Sequence, residues 1–146
     1  MKKTIYFLSV MCLLLSCASE KEEDIQKEED TKPLLEEGLF SGFFSVTYFA
    51  DAAWAEDGSG EVTIKLQNGR YYSLGIPNGI PPRGSGTFSV ISDNKIRFND
   101  ENGWLANFDW GLILDGEYYF EYDGKNLRIW RSINEIALYE YVLERQ

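Results

Sequence analysis

Few side chains in this sequence can do covalent or acid-base chemistry. There are two cysteines, no histidine, and 24 acidic against 14 basic residues, for a net charge of −10. Without histidine the chain lacks the usual general base, the Ser-His-Asp relay and the commonest transition-metal ligand. A catalytic carboxylate pair, as in glycoside hydrolysis, would need two acids held across a cleft. Most acids here fall at turns or on solvent faces instead, among them Asp93, Asp100, Asp115 and Asp123. Asp100-Glu101-Asn102 and Asp93-Asn94 carry the oxygens that calcium prefers, but Asp and Asn are also the common turn formers, and no EF-hand pattern surrounds them. The expectation is a non-enzyme with no catalytic residues, no metal site and no cofactor. The acidic balance also leaves no basic footprint for nucleic acid.

The cysteines have another use. Lys2 and Lys3 precede an apolar run from Ile5 to Leu15, which ends at Ser16 just before Cys17. A short basic start, an apolar stretch of this length and a small residue make a signal peptide over 1–16. The run is too short to cross about 30 Å of hydrocarbon, which takes roughly 20 apolar residues as a helix. Leu14-Leu15-Ser16-Cys17 resembles a lipobox, which implies cleavage before Cys17 and acylation of its sulfur. Cys12 leaves with the signal, so the mature chain keeps no free thiol. Its charge becomes two units more negative as Lys2 and Lys3 depart.

Residues 17–38 read as the lipidated cysteine followed by a charged tether. Between Ala18 and Glu37 nine acids face three lysines, and large apolar groups are scarce before Leu34-Leu35. Such a segment cannot bury enough to offset its chain entropy. Its start, Ser19-Glu20-Lys21-Glu22-Glu23-Asp24, resembles the acidic export signal that carries some lipoproteins to the outer face of the outer membrane. The expected location is therefore the outer membrane, lipid-anchored and exposed on the cell surface; a spacer on a periplasm-facing lipoprotein is the alternative.

From Leu39 the texture changes to short aromatic and β-branched runs broken by Gly, Asn or Asp, the pattern of consecutive strands. Val62, Ile64 and Leu66 alternate with Glu61, Thr63 and Lys65 before Asn68-Gly69, a pair suited to a tight hairpin because both central residues must reach positive φ. A second hairpin joins Gly86–Ser92 to Lys95–Asn99 around Asp93-Asn94, with Phe88, Val90, Ile96 and Phe98 on one face. A third joins Glu117–Tyr122 to Asn126–Arg131 around Asp123-Gly124. Further strands are expected at Ser41–Phe49, Trp104–Trp110 and Ile136–Glu144, with Leu112–Leu114 leading into the third hairpin. The fold expected for 39–146 is all-β, an antiparallel meander closing into an eight- or nine-stranded barrel, with a β-sandwich as the alternative.

Gly86-Thr87-Phe88-Ser89-Val90, Asn94-Lys95-Ile96-Arg97-Phe98, Asn107-Phe108-Asp109-Trp110, Leu114-Asp115-Gly116-Glu117-Tyr118 and Tyr139-Glu140-Tyr141-Val142-Leu143 together resemble small bacterial lipocalin-like lipoproteins, over roughly the last 60 residues. The resemblance implies a calycin-like barrel. Where true lipocalins carry Gly-x-Trp, this chain has Ser41-Gly42-Phe43-Phe44.

Binding is the remaining class. Of the 22 Phe, Tyr and Trp residues, Tyr6 and Phe7 fall in the leader, so twenty crowd a small domain, and Tyr71-Tyr72, Tyr118-Tyr119-Phe120 and Ile129-Trp130 place large rings on both faces of a strand. Some must lie outside the core or at a barrel mouth, where aromatic surfaces suit sugars, apolar ligands or proteins. The segment from Ile76 to Gly86, interrupted by Pro77, Pro81 and Pro82, is the expected rim. Candidate ligand-binding residues are Ile76, Ile80, Arg83, Trp104, Trp110 and Trp130. The expected partners are the membrane through the anchor and a small apolar or glycan ligand. The alternative is a protein partner, for an inhibitor or assembly subunit, in which case the barrel would be filled.

Overall fold

A computed structural model describes residues 34–49, 57–75, 79–104 and 110–146. The expected signal peptide, Cys17 and most of the expected tether lie outside them, as do Ile76, Pro77 and Asn107-Phe108-Asp109. Eight strands follow in order: β1 (Gly38–Tyr48), β2 (Gly58–Gln67), β3 (Arg70–Ser73), β4 (Gly84–Ser92), β5 (Lys95–Asp100), β6 (Gly116–Tyr122), β7 (Asn126–Ile133) and β8 (Ala137–Arg145). Each pairs antiparallel with the next, and β8 returns to pair with β1, so the sheet closes into a barrel. The single closed ring rules out the two-sheet sandwich, and closure satisfies the backbone groups an open sheet would leave at its edges.

The alternation in the sequence maps directly onto inside and outside, because successive strand residues point to opposite faces. Val62, Ile64 and Leu66 are buried while Glu61 and Lys65 face solvent. Asn68 and Gly69 sit at φ 53° and 70°, the left-handed geometry the Asn-Gly hairpin requires. The second hairpin differs in one respect. Ile96 and Phe98 are buried, but Val90 is exposed, since β4 pairs with β3 only up to Thr87 and an irregularity between Val90 and Ser92 carries the hairpin tip past the barrel wall.

In an antiparallel meander the connections alternate between the two ends. One end holds the tight turns 68–69, 93–94 and 123–125, and the described chain enters there at Leu34. Leu35 packs on the core, Glu36 forms an ion pair with Arg145, and Glu37 accepts a hydrogen bond from the Gly69 amide at 3.3 Å. The other end carries the long connections 49–57, 74–83 and 101–115 and the short turn 134–136. Among the described residues no strand forms between β5 and β6. Trp110–Leu112 is a 3-10 turn, and Leu112, Ile113 and Leu114 are buried against the barrel's end, so the apolar run there serves as a plug.

Aromatic rings occupy the interior. Phe44 lies 4.7 Å from Tyr141, Tyr141 6.5 Å from Tyr118, Tyr118 5.9 Å from Phe98, and Phe98 5.2 Å from Tyr71, centroid to centroid. This chain of contacts follows the inner face of the ring from β1 through β8, β6 and β5 to β3, each contact joining adjacent or next-but-one strands. All five rings are essentially inaccessible to solvent. Burying such rings contributes the largest share of a small core's stabilisation. At Gly42, between Phe40 and Phe44, the backbone of β8 comes so close that any Cβ would collide with the Val142 carbonyl oxygen.

Candidate functional site

The most elaborate side-chain arrangement among the described residues stands at the long-loop end, where β5 finishes. Asp100, the last residue of β5, is half-buried, and its carboxylate accepts four hydrogen bonds. The Tyr71 hydroxyl donates to Oδ2 at 2.7 Å, Trp104 Nε1 to Oδ1 at 2.8 Å, and the Asn102 amide N–H and side-chain Nδ2 to Oδ1 and Oδ2, each at 2.9 Å. Through these bonds one carboxylate ties the start of the β5–β6 connection to the barrel interior. The Asp100 amide in turn donates to Asp115 Oδ1 at 2.9 Å, which fixes the far end of the same connection. The Tyr71 hydroxyl also meets the Leu114 carbonyl at 2.9 Å. Burial first, and then the bond to Asp100, push its pKa far above the ordinary tyrosine range, so it stays a neutral donor.

Arg131 completes the arrangement from β7. It follows Leu127 and Ile129 at the spacing of inward-facing residues, so the strand delivers a cation toward the lumen. Its guanidinium lies 4.6 Å over the Tyr118 ring and 5.4 Å over that of Tyr139, and donates to the carbonyls of Asp115 and Gly111. Cation–π contact and two carbonyls hold the charge with no carboxylate partner among the described residues. Its Nε is buried without an acceptor.

Between these groups lies a cleft of about 160 Å³. It is lined by Asp100, Asn102, Trp104, Trp110, Ile113, Asp115 and Arg131. Ile113 is buried, whereas Trp110 is 57% exposed. Asp115 keeps Oδ2 free of protein partners among the described residues, as Trp110 does its indole N–H. The cleft is thus an amphipathic hollow with donors, an acceptor and an exposed aromatic ring.

The residues singled out in the sequence come to rest in three places. Trp104 and Trp110 meet in this cleft. Ile80 and Arg83 belong to the β3–β4 connection, where Ile80 packs against the core, Pro81 and Pro82 are buried, and Arg83 Nε donates to the Gly75 carbonyl at 2.8 Å. That segment is folded onto the barrel's end, and Ile76 lies outside the described residues. Trp130 stands apart on the outer wall, where its ring stacks on Tyr119 at 5.8 Å with Arg128 over Trp130 and Lys95 over Tyr119. This cross-strand ladder engages the ring faces with neighbours in the same wall.

Asp115 and Arg131 were not singled out from the sequence as binding residues, and Asp100 only as a candidate calcium ligand set aside for a turn role. The two acids look like turn residues, and Arg131 alone carries a readable signal, a cation at an inward-facing strand position. No protein-family model and no curated protein sequence matches the chain.

Proposed function

We propose that this chain is an extracytoplasmic lipoprotein, lipidated on Cys17 and held to the outer membrane, whose barrel is a non-enzymatic binding module that recognises its ligand at the long-loop end. The single observation that supports the choice of surface is the packed interior: inward-facing rings of β1, β8, β6, β5 and β3 touch one after another around the inner wall and are at most 2% exposed, leaving the described interior to side chains. An eight-stranded barrel can be just filled or can hold one small ligand, and this packing favours the first. The anchor reading rests on the leader and the lipobox-like Leu14-Leu15-Ser16-Cys17. A tether from residue 17 to 33 can reach at most about 60 Å, and it joins the barrel at the tight-turn end. The opposite end, with the cleft, is then free to meet a partner.

A second reading, a protein-interaction module, draws support from the same packed interior, which is what a protein partner would imply, and from the outer wall. Phe43 of β1 and Val142 of β8 are directly paired and are 60% and 56% exposed, an apolar spot on the seam where the barrel closes.

The experiment combines labelling with a ligand screen on the full mature chain. Fatty-acid label should appear on the wild type and be absent from Cys17→Ala, because durable anchoring needs acyl chains on that thiol. Palmitate and haemin should give no saturable binding. Labelled Cys17→Ala would overturn the anchor, and stoichiometric palmitate binding would return recognition to the lumen.

A further inference from the structure

We propose that the cleft beside Trp110 binds a neutral glycan, one pyranose ring lying against the Trp110 indole with its hydroxyls on Asp115 and Arg131. This inference rests on the reading of the long-loop end as the recognition surface.

Ligands of three other classes would each meet a conflict in the cleft. A hydrocarbon would remove water from Asp100, Asn102, Asp115 and Arg131 without replacing its hydrogen bonds, which is unfavourable for every polar group left unpaired. An anion would meet two carboxylates against one guanidinium. A cation would meet Asp115 but also the guanidinium of Arg131, which the protein has given no carboxylate partner among the described residues. A sugar ring avoids all three conflicts. Its axial C–H groups, weakly positive, face the negative π-surface of an indole, while its hydroxyls both donate and accept.

The free valences match that chemistry. Asp115 Oδ1 is engaged by the Asp100 amide, and Oδ2 remains as an acceptor. Each Arg131 Nη carries two hydrogens and uses one of them on a carbonyl, Nη1 on Asp115 and Nη2 on Gly111. Trp110 presents an exposed ring on the short 3-10 turn, while Trp104, which also lines the cleft, is fixed by its bond to Asp100. The hollow is partly open to solvent, so a ring within it can continue into a longer chain.

The site is also organised in advance. Asp100 immobilises Asn102, Trp104 and the Tyr71 hydroxyl, and Arg131 is clamped between two aromatic faces and two carbonyls. Little side-chain freedom is lost on binding, which lets a small polar contact area give measurable affinity.

The test is calorimetric titration of the full mature chain, solubilised in detergent, with cellohexaose, laminarihexaose, mannohexaose and chitohexaose. Hexalysine, polygalacturonate and palmitate serve as cationic, anionic and apolar counterparts. At least one neutral hexasaccharide should bind. Trp110→Ala should weaken it on the order of tenfold, Trp110→Phe should recover part of the loss, and Trp130→Ala should leave it unchanged. Because Trp110 is largely exposed, its removal should not shift the melting temperature, and a melt of each variant checks this. Binding of hexalysine, polygalacturonate or palmitate that depends on Trp110, with no sugar binding, would overturn the glycan class and keep the long-loop end as the recognition surface. Sugar binding indifferent to Trp110 would overturn the site. Absence of any Trp110-dependent binding would overturn both.

Discussion

At the tight-turn end the chain reverses over two or three residues at a time, and local backbone chemistry is enough to specify each turn. Asn68-Gly69 take positive φ, and Asp123 caps its own turn by accepting from the amides of Lys125 and Asn126 at 2.9 and 2.7 Å and from Asn126 Nδ2 at 2.8 Å. The long-loop end is organised otherwise. Its connections are held by bonds between residues far apart in sequence: Tyr71 to Asp100 across 29 positions, Tyr71 to Leu114 across 43, Arg131 to Gly111 across 20. Even its one short turn departs from the rule, since Asn134 and Glu135 occupy left-handed φ of 47° and 59° where a glycine would fit with less strain. The difference shows where this barrel can vary its surface without losing its fold. Turns specified locally keep the strands in register, while the opposite end is free to build a cleft from distant parts.

Breaking the hub should have the largest effect. Asp100→Ala removes the acceptor of four hydrogen bonds and leaves the part-buried donors of Tyr71 and Trp104 to find others. A loss of about 2–3 kcal/mol is expected from such orphaned groups, read as a fall in denaturation midpoint. A neutral outcome would mean that the connection 101–115 is held by something else.

Gly69→Val should come next, with a loss of about 1 kcal/mol or more from forcing a β-branched residue into left-handed geometry. The position is sterically open, its nearest neighbour being the Phe88 carbonyl oxygen at 4.0 Å, so the effect is conformational. Gly69→Ala should accordingly recover part of it. At the other end the sign reverses: Glu135→Gly relieves a left-handed φ and should stabilise by about 0.5–1 kcal/mol. Equal behaviour of the two positions would erase the contrast in turn chemistry.

The smallest effect sharpens the comparison through pH. Hydrogen bonds from the Asn126 side chain and amide, then the Lys125 amide, lower the Asp123 pKa to about 2 from its ordinary 3.8. A carboxylate with a depressed folded pKa adds stability above its unfolded value, and that contribution disappears as pH falls through about 2. The melting-temperature gap between wild type and Asp123→Ala should therefore be full at pH 5 and narrow toward pH 2. A gap that stays constant over this range would show that the capping bonds do not favour the charged form.

Much of the wall was legible in advance. The Val62-Ile64-Leu66 alternation, the Asn68-Gly69 hairpin and the Asp123-Gly124 turn are local patterns, and the barrel uses each as read. The segment 101–115 was not. Trp104–Trp110 was expected to be a strand, yet Trp104 stands outside the strands, 105–109 lie outside the described residues, and Trp110–Leu112 form a 3-10 turn. Its apolar residues carry no period that distinguishes a strand from a plug. Exposed Val90 illustrates the same limit: alternation fixes which face a residue shares, but not where the barrel stops and a hairpin tip begins.

What the amino-acid sequence determined alone is therefore the strand periodicity, the tight turns, the all-β class with a closing meander, and the absence of histidine and of any thiol beyond Cys12 and Cys17. These follow from period-two alternation, turn preferences and composition, which act over a few residues. Tertiary structure alone decided that eight strands close the ring, that five aromatic rings meet in the lumen, and that Asp100, Asp115, Arg131, Trp104 and Trp110 converge on one cleft. Those outcomes depend on the register between β8 and β1 and on contacts spanning 20 to 43 positions, set only when the whole sheet has closed.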